Sequence, residues 1–118
     1  MPPMILIVED EVDVLGFLRR AVERIVPGAT LLTASNGSEA LALFRQQPCD
    51  LVISDHRMPL MTGLELLVAL RQTSTVPFLM ITADTLIAPQ ARAAGATEFL
   101  EKPMSLNALR AAVLRCLP

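Results

Sequence analysis

The chain contains 118 residues, of which 53% are hydrophobic, 19% are charged and 3% are aromatic. A chain of this length and composition can bury a hydrophobic core without disulfides or a structural metal, which excludes collagen, disordered tails and small disulfide-rich scaffolds. Its formal net charge of -2 argues against a strongly basic nucleic-acid-binding surface. We therefore expect one globular domain, residues 1–118, without direct contact to nucleic acid.

The distribution of apolar residues and cysteines predicts the cellular compartment. The longest apolar runs, 4–8 and 76–81, are far shorter than the roughly 20 residues that span a bilayer. Residues 1–4 contain no charged leader, so we expect no secretion signal. Cys49 and Cys116 lie far apart among apolar neighbours, which is typical of free thiols in a reducing compartment, although a disulfide is the less favoured alternative. A soluble, cytoplasmic protein outside the membrane is expected.

The first third of the chain alternates short apolar runs with helical patterns. The continuous apolar run 4–8 predicts a strand that is buried on both faces. Apolar residues then recur every three or four positions between 15 and 25, which predicts a helix that ends before Pro27. A second strand is expected over 29–34, followed by a helix that Asn36 caps.

The rest of the chain continues this alternation. Strands are expected over 51–53, over 77–81 with proline at the first position, and over 97–100. A short helix over 88–94 is expected to end at Gly95. The remaining two helices are indicated by apolar stripes, one with Leu64, Leu67 and Leu70, and one with Leu106, Leu109, Val113 and Cys116.

This order of elements predicts an α/β fold. Five strands and five helices in alternation favour a parallel sheet with helices on both faces, joined by right-handed crossovers. Polar residues follow four of the strands directly: Glu9 and Asp10, then Asp55, Thr82 and Lys102. Because ligands of open parallel sheets bind outside the carboxyl ends of the strands, we expect these side chains to share one edge.

The carboxylates at this edge predict a metal site. Carboxylates that lie close together repel one another unless a cation lies between them. Mg²⁺ takes oxygen ligands and uses one or two protein carboxylates, so Asp10 and Asp55 are the predicted ligands, with Glu9 acting more distantly through water. Glu11 and Asp13 are interpreted as solvated charges at a helix start.

Lys102 is the only lysine among ten basic residues. A compact ammonium on a flexible stem fits a crowded anion site better than the planar guanidinium of arginine, which favours a functional role. A surface lysine that contacts only solvent is the alternative.

Four motifs occur in order along the chain, at residues 8–10, 55–59 with Gly63, 81–83 and 99–103. They resemble those of the receiver domain, the phosphoacceptor module of bacterial response regulators in two-component signalling. Each is weak alone, but their order and spacing over essentially the whole chain are specific. The resemblance implies the flavodoxin-like, doubly wound sheet with strand order 2-1-3-4-5 and five helices.

The resemblance also implies a function. Asp55 would accept a phosphoryl group from a histidine kinase or a histidine phosphotransfer protein. Asp10, Asp55 and the backbone carbonyl of Arg57 would bind Mg²⁺, while Lys102 and Thr82 would contact the phosphoryl group. The chain would thus catalyse its own phosphorylation and dephosphorylation without being a conventional enzyme.

Phosphorylation would be transmitted to a distant face. The resemblance implies that Thr82 moves toward the phosphoryl group and that Phe99, the aromatic residue of strand five, turns inward. The face of helix four, strand five and helix five would then control an output domain or partner protein, with a phosphorylation-dependent dimer among the outcomes. A core role for Phe99 stays open. The resemblance further implies a cis peptide bond before Pro103.

Five further residues near this site carry expectations of their own. Leu86 and Ile87 are expected in a loop on the output face, as a partner contact or a mobile gate. Arg57 and Asp84 would flank the path of attacking water and set the phosphoryl lifetime, or form a mutual salt bridge. His56 is interpreted as a loop or packing residue, because neighbouring residues at a strand end point to opposite faces.

Other function classes fit the sequence less well. A flavin-binding protein needs a phosphate-cradling loop after strand one, where the acidic run would repel a phosphate. An aspartyl phosphohydrolase would carry a second acid two residues after the nucleophile of strand one, where Val12 stands. A receiver-like binding scaffold that is never phosphorylated is the alternative function, against which we weigh the intact set Asp10, Asp55, Thr82 and Lys102.

Overall fold

Five parallel strands form one sheet in the order β2-β1-β3-β4-β5, which confirms the predicted topology. The computed structural model describes residues 2–118; Met1, the first residue of the stretch considered for a leader, lies outside the described residues. The strands are β1 Met4–Val8, β2 Thr30–Ala34, β3 Leu51–Ser54, β4 Phe78–Thr82 and β5 Glu98–Glu101.

Five helices cover both faces of the sheet. They are α1 Val12–Ile25, α2 Gly37–Gln46, α3 Gly63–Arg71, α4 Ala88–Ala93 and α5 Leu106–Cys116. Buried residues of α1 and α5 pack on one face, and those of α2, α3 and α4 pack on the other. The described part of the chain, 2–118, contains no helix long and apolar enough to cross a membrane.

Strand β1 is apolar along its whole length because both of its faces are covered. In β1, Leu6 and Val8 pack toward α2 and α3, whereas Ile5 and Ile7 pack toward α1 and α5. All four side chains are buried. The continuous run that predicted this strand therefore reflects a two-sided core.

Side-chain caps begin three of the helices. The Asn36 side chain accepts a hydrogen bond from the Glu39 amide at 2.8 Å, as predicted for α2. Ser105 caps α5 in the same way, accepting from the Ala108 amide at 3.0 Å. Helix α3 begins with a reciprocal capping box between Thr62 and Glu65.

The predicted apolar stripe of α5 is wrong at its first residue. Leu106 is 57% exposed, while Leu109, Val113 and Cys116 are buried. Leu106 occupies the first turn of the helix, where it lines a groove together with Phe17 of α1. In α3 the stripe also includes Leu66, which is fully buried, whereas Leu64 is half-buried.

The segment before α4 is more ordered than predicted. Leu86 and Ile87 lie in a 3-10 turn, residues 85–87, and not in an irregular loop. Leu86 is 88% exposed, while Ile87 packs against the core on the α2, α3 and α4 face. Helix α4 starts at Ala88, with Pro89 in its first turn, where no intrahelical amide bond is lost.

Candidate functional site

The carboxyl ends of β1 and β3 bring three carboxylates together. The Asp55 amide donates to the Val8 carbonyl at 3.1 Å, which aligns the two strand ends. Glu9, Asp10 and Asp55 each present one carboxylate oxygen, and these three oxygens lie within 4.8 Å of one another. Glu9 and Asp55 are buried and Asp10 is exposed, so the cluster is open to solvent on one side.

Lys102 reaches this cluster from the end of β5. Its Nζ lies 2.7 Å from Glu9 Oε1 and 3.1 Å from Asp55 Oδ2. The Lys102 amide donates to the Thr82 carbonyl at 3.0 Å, which holds the backbone beside the end of β4. The Lys102–Pro103 peptide bond is cis, as the resemblance implied. One ammonium therefore lies among carboxylates from two other strand ends.

Burial and hydrogen bonding shift the pKa values of Glu9 and Lys102 in opposite directions. Burial raises the pKa of Glu9, and the hydrogen bonds from Lys102 and from the Glu11 amide offset only part of that increase. Burial lowers the pKa of Lys102, but its hydrogen bonds to Glu9 and Asp55 outweigh this effect and raise it above the usual value. The ammonium therefore stays charged and neutralises part of the negative charge.

Thr82 ends β4 beside the cluster, with its hydroxyl directed to a backbone amide. The side chain is buried, and Oγ1 accepts a hydrogen bond from the Asp84 amide at 3.2 Å. Because the oxygen acts here as an acceptor, the hydroxyl hydrogen is left over for another partner.

Arg57 and Asp84 form a salt bridge between the loops after β3 and β4, which was one of the two alternatives for this pair, while their effect on the phosphoryl lifetime stays a prediction. Arg57 Nη2 lies 3.2 Å from Asp84 Oδ2. The Arg57 side chain is largely exposed, so its guanidinium lies outside the carboxylate cluster. Asp84 Oδ1 also accepts from the Leu86 amide at 3.2 Å, which ties the pair to the 3-10 turn. The role of the Arg57 carbonyl in metal binding stays a prediction.

Two residues that were not predicted as part of the site, Ser54 and His56, form hydrogen bonds to Asp55. The buried Ser54 hydroxyl donates to the Asp55 carbonyl at 2.7 Å. His56 donates its amide to Asp55 Oδ1 at 2.6 Å, and its Nδ1 accepts from the Leu64 amide at 3.2 Å. Ser54 could have been found from its sequence position, because it is a polar residue at the end of a buried strand. The hydrogen bonds of His56 depend on the conformation of the loop that follows, which the sequence pattern does not indicate.

Gly63 is required by close approach at the same loop. A Cβ built on this residue would overlap the carbonyl of Asp55 and lie 2.8 Å from the Cα of His56. Only a residue without a side chain lets the start of α3 pack against the segment that carries Asp55.

Phe99 of β5 is half-buried and packs against the core on the α2, α3 and α4 face. This position is consistent with the core role and with the switch role, so both expectations stay open. Glu9, Asp10, Asp55 and Lys102 thus form one cluster, Thr82 adjoins it, and the Arg57 side chain turns to Asp84.

Most of the chain matches one known protein family. The family model described as the response regulator receiver domain matches residues 5–114. The chain belongs to the response regulator receiver domain family. It is thus a receiver domain of two-component signalling.

Curated relatives of this receiver are transcriptional regulators. It is 36% identical over 118 residues to the transcriptional regulatory protein KdpE of Mycobacterium tuberculosis, covering 95% of this chain and 51% of KdpE. It is 37% identical over 112 residues to the uncharacterized transcriptional regulatory protein YrkP of Bacillus subtilis, covering 93% and 47%. The chain spans about half the length of the curated relatives it matches.

Solved structures share the fold over nearly the whole receiver. The chemotaxis protein CheY4 of Vibrio cholerae is 32% identical, with a TM-score of 0.89 over 99% of this chain and 100% of that chain. The receiver domain of NtrX from Brucella abortus is 30% identical, with a TM-score of 0.86 over 96% and 97%. The predicted family and the flavodoxin-like fold are thereby confirmed.

Proposed function

We propose that this receiver accepts a phosphoryl group on Asp55 from a histidine kinase or a histidine phosphotransfer protein, with Mg²⁺ as cofactor. The observation that carries the proposal is the cluster itself: carboxylate oxygens of Glu9, Asp10 and Asp55 lie within 4.8 Å of one another. The Lys102 ammonium lies 3.1 Å from Asp55 in the same cluster. This arrangement combines a nucleophile, metal ligands and a cation, which are the parts that phosphoryl transfer requires.

The residues present fit Mg²⁺. The donor atoms are hard carboxylate oxygens, and the exposed side of the cluster leaves room for the waters that Mg²⁺ retains. Asp10 and Asp55 would hold the ion together with the Arg57 carbonyl, while Glu9, held by Lys102, would act through water. When bound, the ion would offset the negative charge of the carboxylates and of the incoming phosphoryl oxygens.

Each protein group has a defined task in the transfer. An oxygen of Asp55 attacks phosphorus while the bond from phosphorus to the donor's imidazole nitrogen breaks, and the released imidazole keeps the electron pair of that bond. Lys102 contacts Asp55 Oδ2 before transfer, so its flexible ammonium can follow the new phosphoryl oxygens. Thr82 can donate its hydroxyl hydrogen because its oxygen already accepts from the Asp84 amide.

Phosphorylation would be transmitted through the loop after β4. If Thr82 turns toward the phosphoryl group, the Asp84 amide loses its acceptor, and Asp84 also holds the Leu86 amide. The α4, β5 and α5 face, including Phe99, would then change and control an output domain or partner protein. A phosphorylation-dependent dimer through this face is part of the proposal.

Residues 1–118 would form one receiver domain that catalyses its own phosphorylation and dephosphorylation. The free thiols Cys49 and Cys116 fit a reducing compartment, which supports a cytoplasmic location.

Incubation with Mg²⁺ and phosphoramidate tests the function directly. We expect intact-mass spectrometry to show one added phosphoryl group on the wild-type protein and none on Asp55→Asn. Asp10→Asn should lower the Mg²⁺ affinity at least about tenfold, whereas the nearby Asp13→Asn should leave it unchanged. A wild-type protein that is not phosphorylated and is not stabilised by beryllofluoride with Mg²⁺ would support the scaffold alternative.

A further inference from the structure

We propose that His56 is a positioning residue for the phosphoacceptor site, because its imidazole Nδ1 caps α3 and thereby holds the loop of residues 55–63 that carries Asp55. This inference rests on the proposed function of Asp55. It assigns to His56 a hydrogen-bonding role, where the sequence analysis expected only a loop or packing residue.

One residue satisfies two of the first amides of α3. The Gly63 amide donates to the His56 carbonyl at 2.8 Å, and the Leu64 amide donates to His56 Nδ1 at 3.2 Å. The next amide, that of Glu65, donates to Thr62 Oγ1 at 3.1 Å. The first amides of a helix have no intrahelical acceptor, so these three bonds determine where the helix begins.

The same residue is bonded to the reactive carboxylate. The His56 amide donates to Asp55 Oδ1 at 2.6 Å, while Asp55 Oδ2 contacts Lys102. His56 therefore joins the Asp55 carboxylate on one side to the start of α3 on the other. The close approach of Gly63 to the Asp55 carbonyl makes this junction intolerant of small shifts.

The cap depends on a particular form of the imidazole. Since Nδ1 accepts a hydrogen bond from Leu64, it carries no hydrogen, and the ring hydrogen lies on Nε2. Asparagine offers an oxygen at the same distance along the side chain as Nδ1. Phenylalanine keeps a planar ring of similar size but offers no acceptor. The variants His56→Asn and His56→Phe therefore separate hydrogen bonding from packing.

The test compares these two variants with the wild-type chain and with Thr62→Ala. Thr62→Ala removes the neighbouring cap of the same helix, yet Thr62 makes no hydrogen bond to Asp55. Mg²⁺ affinity is measured by titration followed by NMR, the Leu64 amide by hydrogen exchange, and phosphorylation by its initial rate with phosphoramidate. Urea unfolding of each variant reports global stability separately.

We expect His56→Phe to accelerate exchange of the Leu64 amide about tenfold and to weaken Mg²⁺ binding about tenfold, as loss of a group that orients a ligand commonly does. His56→Asn should restore both quantities to within about twofold of the wild type. Thr62→Ala should lower stability comparably while leaving the Mg²⁺ affinity unchanged.

The outcomes separate this role from the proposed function. If the wild type binds Mg²⁺ and His56→Phe binds it equally well, the positioning role is overturned while the function of Asp55 stands. The role is also overturned if Thr62→Ala weakens Mg²⁺ binding as much as His56→Phe, since general loosening of α3 would then explain both. A wild-type chain that binds no Mg²⁺ overturns the proposed function itself.

Discussion

The Lys102 ammonium lies closer to Glu9, at 2.7 Å, than to Asp55, at 3.1 Å. The Glu9 side chain is fully buried and that of Lys102 is 19% exposed, so this is a buried ion pair that spans the sheet from β1 to β5. Glu9 thus holds the lysine beside Asp55. The two residues stand 93 positions apart in the chain, and only folding brings them together.

Removing Lys102 should leave the buried Glu9 carboxylate without a charged partner, bonded only to the Glu11 amide. We expect Lys102→Met to lower the free energy of unfolding by about 2 kcal/mol, less than the usual cost of breaking a buried pair because Glu9 can take up a proton. The double variant Lys102→Met, Glu9→Gln should recover most of that loss in urea unfolding. The exposed pair Arg19 and Glu23 is the matched control, with an expected coupling of only about 0.4 kcal/mol.

Asp84 should contribute more to stability than its partner Arg57. Asp84 caps the 3-10 turn through the Leu86 amide in addition to pairing with Arg57, whose side chain is largely exposed. We expect Asp84→Ala to cost about 1 kcal/mol and to accelerate hydrogen exchange at Leu86. Arg57→Ala should cost less than about 0.5 kcal/mol and leave that exchange rate unchanged. Equal effects of the two variants would show that the cap contributes nothing.

Leu60 adopts a left-handed backbone conformation that a leucine disfavours. Its φ is 69° and its side chain is 85% exposed, so side-chain packing contributes little stability to offset the strain. The left-handed region costs an L-residue about 1–2 kcal/mol, and glycine costs about 0.5–1 kcal/mol in lost entropy. We therefore expect Leu60→Gly to raise the free energy of unfolding by about 0.5 kcal/mol. Leu60→Ala, which keeps a Cβ, should give no gain, and a gain there would contradict the strain argument.

The two thiols should make the fold less stable in alkaline solution. Burial raises the pKa of Cys49 and that of Cys116 from 9.0 to about 11. The unfolded chain therefore loses these protons at lower pH than the folded protein does. The free energy of unfolding should be unaffected by the thiols below pH 9.0 and fall as pH rises toward about 11.

Urea unfolding between these pH values measures this effect. The chain has no tyrosine, and its only lysine, Lys102, whose pKa is raised by its hydrogen bonds to Glu9 and Asp55, adds a decrease of the same sign that the cysteine variants retain. Cys49→Ala and Cys116→Ala should each remove part of the pH dependence. Both thiols should also react slowly with Ellman's reagent at neutral pH until the protein unfolds. Rapid reaction of the native protein would contradict the raised pKa values.

The order of the elements and the location of the polar edge were predictable from the sequence. Continuous apolar runs such as 4–8 are local signals, and caps such as Asn36 act within one helical turn. Parallel strands point their carboxyl ends to one edge, so Asp10, Asp55 and Lys102 had to lie near one another once the strands were recognised.

The tertiary structure alone decided the pairings within that edge. Lys102 binds Glu9 most closely, the Thr82 hydroxyl contacts the Asp84 amide, and His56 reaches the Leu64 amide. Leu106 lies outside the core although its spacing matched the stripe of α5. Hydrophobic periodicity specifies which face of an element is buried, but a hydrogen bond depends on ångström-scale distances between elements, which only the packed chain determines.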